Sequence, residues 1–393
     1  MSVIADRLDA AQADGLPEQR LGAAAIPVLQ ARMVSGAEWD RTIADFDEVC
    51  QEQLHAFAVA RWPSVQHEPV LFLLDGAVVG GSLMMVQPLP LRLSHIAVSK
   101  WGPIRKDLSR PDAAAIHAGM VEALIADYAD RRGQMISILP SAAVTPVNQA
   151  YARLEARGFR RGSQLMFPNR YIVNLRLDDA EQRKSLHQKW RYHLNKSEKA
   201  GLSFEHAGPE RMPEFDRLYT AMSDRKQFAD HSAYDSVASL MALEPGLRPE
   251  LFFVRHDGVV VAGALIFTAG DRAVYLYGAT NDQALPLRAG YFMHWHIIRW
   301  LRDHTRARWY DLGGTDGFQG LHQFKKGMVG EAGVIRPVPP VANYASNPLA
   351  FLLGTGAFAA RDAFHQVRRV VTGWRNPKSR PNQARTGDGG AGQ

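Results

Sequence analysis

Two stretches of the chain share a hairpin pattern, and this repetition limits the folds that the sequence can adopt. LFLLDGAVVGGSLMM covers residues 71–85, and LFFVRHDGVVVAGALIF covers residues 251–267. Each places an Asp-Gly pair between two apolar runs, which is the strongest short-range signal for a β-hairpin with a two-residue turn. The repetition predicts two copies of one structural unit, with a chance match between two common hairpins as the alternative.

The order of predicted elements around the two hairpins is the same, which favours a mixed α/β fold. A helix precedes each hairpin, a third strand and a long helix follow it, and a further strand comes near the end of the unit. YIVNL is the strand that we expect to end the first unit, and one basic helix, DDAEQRKSLHQKWRYHLNKSEKAG, begins the second. The predicted organisation is a polar leader (1–25), a first domain (26–175), a second domain with the basic helix (176–345), an amphipathic helix (346–375) and a disordered tail (376–393).

The composition is that of an ordinary globular protein with a modest excess of positive charge. The 46 Lys and Arg against 40 Asp and Glu give a net charge of +6, which favours an acidic partner such as a nucleotide, RNA or an anionic membrane. Because Cys50 is the only cysteine, an intramolecular disulfide is excluded. The sequence has neither a signal-peptide pattern nor an apolar run of about 20 residues, so we expect a cytoplasmic protein.

The helix 346–375 bears on the predicted location, because it alternates apolar and basic residues. We interpret it as a helix docked on the protein. The alternative is a helix that lies on an anionic membrane surface. On that alternative the protein works at the inner face of the membrane.

Several sequence motifs are absent, and their absence narrows the range of reactions that the protein could catalyse. The chain has no P-loop, no paired CxxC, no HExxH and no G-x-S-x-G pattern. His294 and His296 are two residues apart on a predicted helix and therefore point in different directions. We predict no metal site. The remaining candidates are tyrosines, basic residues and main-chain turns.

The stretch YDLGGTDGFQGLHQFKKGMVG (310–330) predicts a strand, a glycine turn and an amphipathic helix with Leu321 and Phe324 on one apolar face. Lys325 fits two roles there, as a group that binds an anion or a carbonyl above the turn or as a solvated helix residue. Asp311 also fits two roles, as an acid at the reaction centre or as a hydrogen-bond partner of the turn. We expect Lys325 to face a cleft and Lys326 to face water.

The chain resembles the Fem-type aminoacyl transferases, which have tandem GNAT acyltransferase-like domains. The matching stretches are KWGPIR, KWRYHLNKSEKAGLSFE, YTAMSDRKQF, YLYGAT, AGYFMHW and YDLGGTDGFQGLHQFKKGMVG, spread over about residues 30–345. The resemblance implies two GNAT-like domains, each a mixed β-sheet flanked by helices. It also implies transfer of an aminoacyl group from aminoacyl-tRNA to an amine of a cell-envelope precursor or related peptide. Such a reaction needs positioning, a proton path and carbonyl polarisation, but no protein nucleophile.

Site residues follow from the resemblance by position. Lys325 is expected near the reacting centre, with Phe324 beside it. A strand tyrosine that contacts the acceptor falls on Tyr275 or Tyr277, and Tyr277 is preferred, although a shift of one residue in register reverses its face. The resemblance also implies an acceptor tyrosine at Tyr234, and Arg225, Trp101 and Arg191 are further candidate substrate-binding residues. A turn is the alternative role for Trp101, and core packing is the alternative role for Tyr277.

Two departures from the family pattern affect the expected substrates. Asp230 stands shortly before Tyr234, where family members commonly have an arginine, and this puts the usual muropeptide acceptor in doubt. The long helical hairpin that some members use as a tRNA-binding arm is absent, so the basic helix with Arg191 is the comparable surface for tRNA.

Other functions stay open at this stage. The segment LRAGY keeps Arg288 and Gly290 of the GNAT glycine signature at a predicted helix start, where the pyrophosphate of coenzyme A would bind. An N-acetyltransferase that uses acetyl-CoA in polysaccharide or envelope biosynthesis is therefore the second hypothesis. A non-catalytic protein that binds RNA or the envelope is the third. We expect no DNA partner.

Overall fold

Both Asp-Gly hairpins are present in the computed structural model of the chain, which describes residues 25–89, 94–226 and 234–375. Asp75 and Gly76 have φ angles of 49° and 80°, and Asp257 and Gly258 have φ angles of 48° and 77°. Positive φ at both central residues is the geometry of the two-residue turn that matches the twist of a hairpin. The predicted hairpins are confirmed. The predicted tail, residues 1–24 of the leader and Asp230 lie outside the described residues.

The strands form two mixed sheets. The first sheet has the order β1-β2-β3-β4-β6-β15-β7, with β5 paired to β3, and the second has the order β14-β8-β13-β12-β11-β10-β9. In chain order the strands are β1 (Gln30–Met33), β2 (Gln66–Leu74), β3 (Ala77–Pro88), β4 (His95–Lys100), β5 (Ile104–Arg105), β6 (Met135–Leu139), β7 (Arg160–Arg161), β8 (Asn169–Asn174), β9 (Leu202–Ala207), β10 (Glu250–His256), β11 (Val259–Phe267), β12 (Arg272–Thr280), β13 (Trp309–Asp311), β14 (Val334–Pro337) and β15 (Ala342–Tyr344).

Helices flank the sheets, as predicted for an α/β fold. In chain order they are α1 (Gly36–Ile43), α2 (His55–Arg61), α3 (Ala113–Leu124), α4 (Gln149–Ala156), α5 (Asp179–Ser185), α6 (Gln188–Ser197), α7 (Met212–Lys226), α8 (Val237–Met241), α9 (Ala284–Leu287), α10 (Ala289–His304), α11 (Gln319–Val329) and α12 (Pro348–Arg375). A π-helical segment, Ile125–Arg131, follows α3 directly. No helix of the described residues combines the length and the apolar character that are needed to cross a membrane.

The prediction of one continuous basic helix is wrong, because α5 and α6 are separated by Leu186 and His187. Both residues have extended backbone, with ψ angles of 145° and 146°. Tertiary contacts hold the break open. The backbone N–H of His187 donates to Gly327 O at 3.1 Å, and Arg191 Nη1 donates to Leu186 O at 2.5 Å and to Lys184 O at 2.7 Å.

Two strands belong to a different sheet than the sequence suggested. β8, which contains most of YIVNL, lies in the second sheet between β13 and β14, and it does not end the first. β15 lies in the first sheet between β6 and β7, although it belongs by chain position to the end of the predicted second domain. Tyr171, Ile172 and Val173 of β8 are almost fully buried, which suits a strand with neighbours on both edges and cover on both faces. The halves therefore exchange one strand each.

A shared apolar core joins the two sheets. Trp39 and Phe46 from the first half and Phe267 from the second are fully buried in the same cluster, and each such side chain contributes roughly 1.5–3 kcal/mol of burial free energy. Polar contacts extend the interface, since the backbone N–H of Asp271 donates to Asp47 O at 2.8 Å. The two halves are thus packed directly against each other.

One parallel strand pair in each sheet distinguishes the two halves. β4 and β6 pair from Ile96–Met135 to Lys100–Leu139, so this pair stays closed to the ends of the strands. β12 and β13 pair only from Arg272–Trp309 to Val274–Asp311, and β12 then continues as far as Thr280 paired with β11 alone. Beyond Val274 the edge of β12 that faces β13 therefore has no strand partner among the described residues, and we call the space beside this edge the wedge.

Candidate active site

The doubled lysine lies on α11, beside the end of β13. Lys325 is 6% exposed, whereas Lys326 faces solvent. Lys325 Nζ donates to Leu312 O at 2.5 Å and also to Gly314 O, so the ammonium group is held over the turn that ends the strand. The predicted orientation of Lys326 is confirmed, and Lys325 is turned inward over the turn; a cleft above it stays a prediction. Leu321, which we expected on the buried face with Phe324, is instead 36% exposed.

Burial changes the acid–base behaviour of Lys325. Removal of the ammonium group from water, and then the nearby Arg170 cation, lower its pKa from 10.5 to about 8, against the opposing effect of Asp311 and Asp316. A lysine with this pKa is mostly charged at neutral pH but titrates close to it. It can therefore polarise a carbonyl as a cation or exchange a proton with a substrate amine.

Asp311 is occupied by structural contacts. Arg170 Nε donates to its Oδ1 and Oδ2 at 3.0 and 3.1 Å, and the backbone N–H of Gly313 donates to Oδ1 at 2.9 Å. Arg272 Nη1 lies 3.8 Å from Oδ2. Asp311 thus fills the turn role considered above. The catalytic role predicted for it has no support in this geometry, because both oxygens already accept from arginine.

Arg170 and Lys325 approach the same point from different sides. A β-carbon placed on Gly313 would lie 3.7 Å from Lys325 Nζ and 4.0 Å from Arg170 Nη1. Gly313 has a φ angle of 77°, which favours glycine, and its missing side chain leaves this space open. The end of β13 is therefore a place where an anionic or carbonyl oxygen would meet two cations.

An aromatic wall lines the wedge next to Lys325. The Tyr275 ring centroid is 6.0 Å from Lys325 Nζ and 5.1 Å from the His294 ring, and Phe324 packs 5.6 Å from His294. His294 Nδ1 and Tyr310 Oη share a hydrogen bond at 3.2 Å. Burial, and then the charge of Lys325, lower the pKa of His294 to about 3, so this imidazole is neutral.

The two strand tyrosines lie on opposite faces of the second sheet. Tyr275 pairs with Ile266 and Tyr277 with Leu265, so Leu276 is an extra residue that bulges from the ladder and reverses the alternation. Tyr277 therefore packs against α7, where its ring is 6.1 Å from that of Tyr219, and it also lies 5.2 Å from the ring of Tyr234, which follows α7 in the chain. Tyr275, and not the preferred Tyr277, is thus the strand tyrosine beside Lys325, and contact of either tyrosine with the acceptor stays a prediction.

Three more predicted substrate residues lie apart from the ammonium group of Lys325. Trp101 lies under Arg170, whose guanidinium carbon is 5.6 Å from the indole. Arg225 is paired with Asp282 and donates to Thr280 O at 3.0 Å. Arg191 maintains the break between α5 and α6, as described above. Of these three residues, only Trp101 lies near the turn, because it contacts Arg170.

The predicted cofactor residues are adjacent to the wall. Arg288 has a φ angle of 58° and ends α9 where α10 begins. A β-carbon on Gly290 would lie 3.8 Å from the Phe324 ring. The buried Nε of Arg288 has no hydrogen-bond partner among the described residues. A cation at the positive end of a helix of 16 residues suits an anion.

Sequence reasoning missed two contributors to the site. Arg170 is separated from Asp311 by 141 positions, so no local pattern marks the pair. His322 lies one helical turn before Lys325, and its Nδ1 is 2.5 Å from the hydroxyl oxygen of the buried Tyr171. Its spacing of three residues from Lys325 on an amphipathic helix was the available signal.

The wedge, the turn and α11 fall in a region that matches a known family. Residues 181–326 match the model of the acetyltransferase (GNAT) domain. The chain is also similar to the lipid II:glycine glycyltransferase of Staphylococcus aureus, with 34% identity over 77 residues, which is 18% of this chain and 18% of that protein. The match thus spans less than a fifth of the length of this curated relative.

Solved structures extend the likeness to most of the chain. The crystal structure of FemX has a TM-score of 0.67 at 17% identity and covers 83% of this chain and 100% of that one. The C-terminal domain of a putative lysylphosphatidylglycerol synthetase from Agrobacterium fabrum has a TM-score of 0.51 at 13% identity and covers 82% and 97%. These likenesses concern the fold. The predicted α/β fold, with two mixed sheets flanked by helices, is confirmed.

Proposed function

We propose that the chain is an N-acyltransferase that moves an aminoacyl or acyl group from an activated ester to an amine. The observation that carries the proposal is the open wedge between β12 and β13, which ends at Gly313 beside the buried ammonium group of Lys325. The equivalent strand pair of the first half is closed. We therefore assign the chemistry to the second half.

The proposed reaction needs a polarised carbonyl and a site shielded from water. The acceptor amine attacks the carbonyl carbon of the donor, so that a C–N bond forms and the C–O or C–S bond of the ester breaks. The proton that the amine loses ends on the departing alcohol or thiol. Two of the three N–H donors of Lys325 hold protein carbonyls, which leaves one to polarise the donor carbonyl or an acceptor oxygen. The neutral His294 and the rings of Tyr275 and Phe324 exclude water from this side.

The proposed acceptor is an amine-bearing precursor of the cell envelope. The two cations at Gly313 suit an acceptor that also carries a phosphate or carboxylate. The partial likeness to the staphylococcal lipid II:glycine glycyltransferase supports a peptidoglycan precursor of this kind. A cytoplasmic location, at the inner face of the membrane, is part of the same proposal.

The proposed donor is an aminoacyl-tRNA. Lys189, Lys196 and Lys199 are exposed on and just after α6, and such cations suit phosphates. The second candidate donor is acetyl-CoA, which is favoured by Arg288 at the start of α10. A non-catalytic binding protein is the third candidate.

One experiment separates these three functions. The purified chain is given a detergent-solubilised lipid-linked pentapeptide as acceptor, with either radiolabelled aminoacyl-tRNA or radiolabelled acetyl-CoA as donor. Label transfer from the tRNA supports the proposal, and transfer from acetyl-CoA supports the second candidate. Binding of the acceptor without transfer from either donor would leave the non-catalytic protein.

A further inference from the structure

An exposed apolar surface borders the turn that holds Lys325. It combines the loop before β8 with the start of α11, and a β-carbon on Gly317 would touch the Phe167 ring at 2.8 Å, so the two segments are in direct contact. Five of the fifteen exposed large apolar side chains of the described residues lie here, each 36% to 58% exposed. We call this surface the apolar rim, and it consists of Leu165, Met166, Phe167, Phe318 and Leu321.

The rim is continuous with the candidate active site. A β-carbon on Gly314 would lie 3.7 Å from the backbone oxygen of Phe167, and Gly314 O accepts from Lys325. An apolar group bound on the rim would therefore lie next to the turn, close to the two cations at Gly313. Large exposed apolar surfaces of this kind mark interaction sites.

The charges beside the rim identify the kind of partner. Arg161 lies at the base of the loop, with Nη2 donating to Gln164 Oε1 at 3.1 Å. Arg336 lies opposite Arg170 in the β8–β14 ladder. Neither Arg161 nor Arg336 forms an ion pair with a described residue, and Asp316 is the acid next to the rim. Apolar side chains flanked by unpaired arginines suit an anionic lipid surface.

We propose that the apolar rim, with Arg161 and Arg336, docks on an anionic membrane surface and so places the active site over a lipid-borne acceptor. This proposal rests on the proposed function for the acceptor, but it assigns the membrane contact to a different surface from the C-terminal helix α12. The apolar side chains enter the region between head groups and acyl chains, and the arginines pair with lipid phosphates.

The test is binding of the full chain to vesicles in a flotation assay. Vesicles of phosphatidylcholine with about 30% phosphatidylglycerol provide the anionic surface, and pure phosphatidylcholine provides the neutral one. The chain should bind the anionic vesicles at least tenfold more strongly. The double variant Met166→Ser/Phe318→Ser should lose at least tenfold on anionic vesicles, because two large apolar groups no longer leave water. Arg161→Gln/Arg336→Gln should remove the preference for anionic lipid.

A matched control comes from α12, where Leu349 and Leu352 are 59% and 67% exposed. Leu349→Ser/Leu352→Ser should bind vesicles like the unchanged chain, and a larger loss for this variant than for the rim variant would overturn the proposal. Leu165→Ser/Leu321→Ser repeats the rim test in case the first variant does not fold, as judged by thermal melting.

Other outcomes also decide the question. Vesicle binding that the rim variants leave unchanged contradicts the proposal, and so does an absence of binding by the unchanged chain. A change in oligomeric state without a change in vesicle binding would make the rim a contact between copies of the chain. Vesicle binding requires no donor or acceptor, so it tests the membrane-docking proposal alone. Acyl transfer to a water-soluble amine peptide tests the proposed function alone. A failure of one proposal is therefore distinguishable from a failure of the other.

Discussion

The buried ammonium group of Lys325 should make the stability of the protein depend on pH in a defined window. Its pKa is about 8 in the folded protein, against an ordinary value of 10.5. Below about pH 8 the lysine is charged in both states. Between about pH 8 and 10.5 the folded protein has released the proton while the unfolded chain still holds it. Because the unfolded state then binds more protons, the free energy of unfolding rises with pH across this window.

The magnitude follows from the size of the shift. At about 1.4 kcal/mol per pH unit, a shift of about 2.5 units corresponds to about 3 kcal/mol over the whole window, and to about 2 kcal/mol between pH 8 and 9.5. Lys325→Met keeps the length of the side chain and removes the titration. Urea unfolding of both proteins from pH 7 to 9.5 should show a constant difference below pH 8 and a growing advantage for the lysine above it.

Comparison with a second variant isolates the effect from the titration of other groups. Lys326→Met changes an exposed lysine one position away, and its difference from the unchanged protein should stay flat over the same pH range. A flat difference for Lys325→Met as well would show that the ammonium group is solvated in the folded state. The argument for a buried cation at the end of β13 would then fail.

Three further predictions concern function and assembly. Lys325→Ala should lower the rate of acyl transfer at least tenfold, equivalent to about 1.4 kcal/mol, whereas Lys326→Ala should change it less than twofold. Equal, small losses for both variants would show that neither lysine has a role in the site. Asp311→Asn should cost about 1–3 kcal/mol of stability in urea unfolding, because it leaves Arg170 and Arg272, which are both partly buried, without their carboxylate; a loss of turnover at unchanged stability would instead favour a chemical role. Lys189→Glu/Lys199→Glu should weaken tRNA binding and reduce the slope of its salt dependence by about 2, and an unchanged slope in filter binding would remove this surface from the donor site.

Local signals predicted the local features of the fold. The Asp-Gly pairs predicted both hairpins, because a two-residue turn requires positive φ at both positions. The step of about 100° between neighbouring helix residues predicted that Lys325 and Lys326 would face differently. Features of this kind depend on a few adjacent residues, so the sequence alone was sufficient.

Features that depend on distant partners were missed or misplaced. The break at Leu186 and His187 contains neither glycine nor proline, and it is held by Gly327 on another helix. The bulge at Leu276 reverses the face of Tyr277, and nothing in the strand sequence marks its position. The alternation of a regular strand would put Tyr275 and Tyr277 on the same face, so the sequence could not show which of the two lies beside Lys325.

The strand exchange between the sheets has a consequence for how the protein can be made and divided. β6 pairs with β4 on one edge and with β15 on the other. During synthesis, the second edge has no partner until residues 342–344 of β15 leave the ribosome. A fragment that stops at residue 175 would also carry β8 without β13 or β14 and would expose two unpaired strand edges, a common cause of aggregation. Each half thus matures only when the other is present, and expression of either half by itself is expected to give insoluble protein.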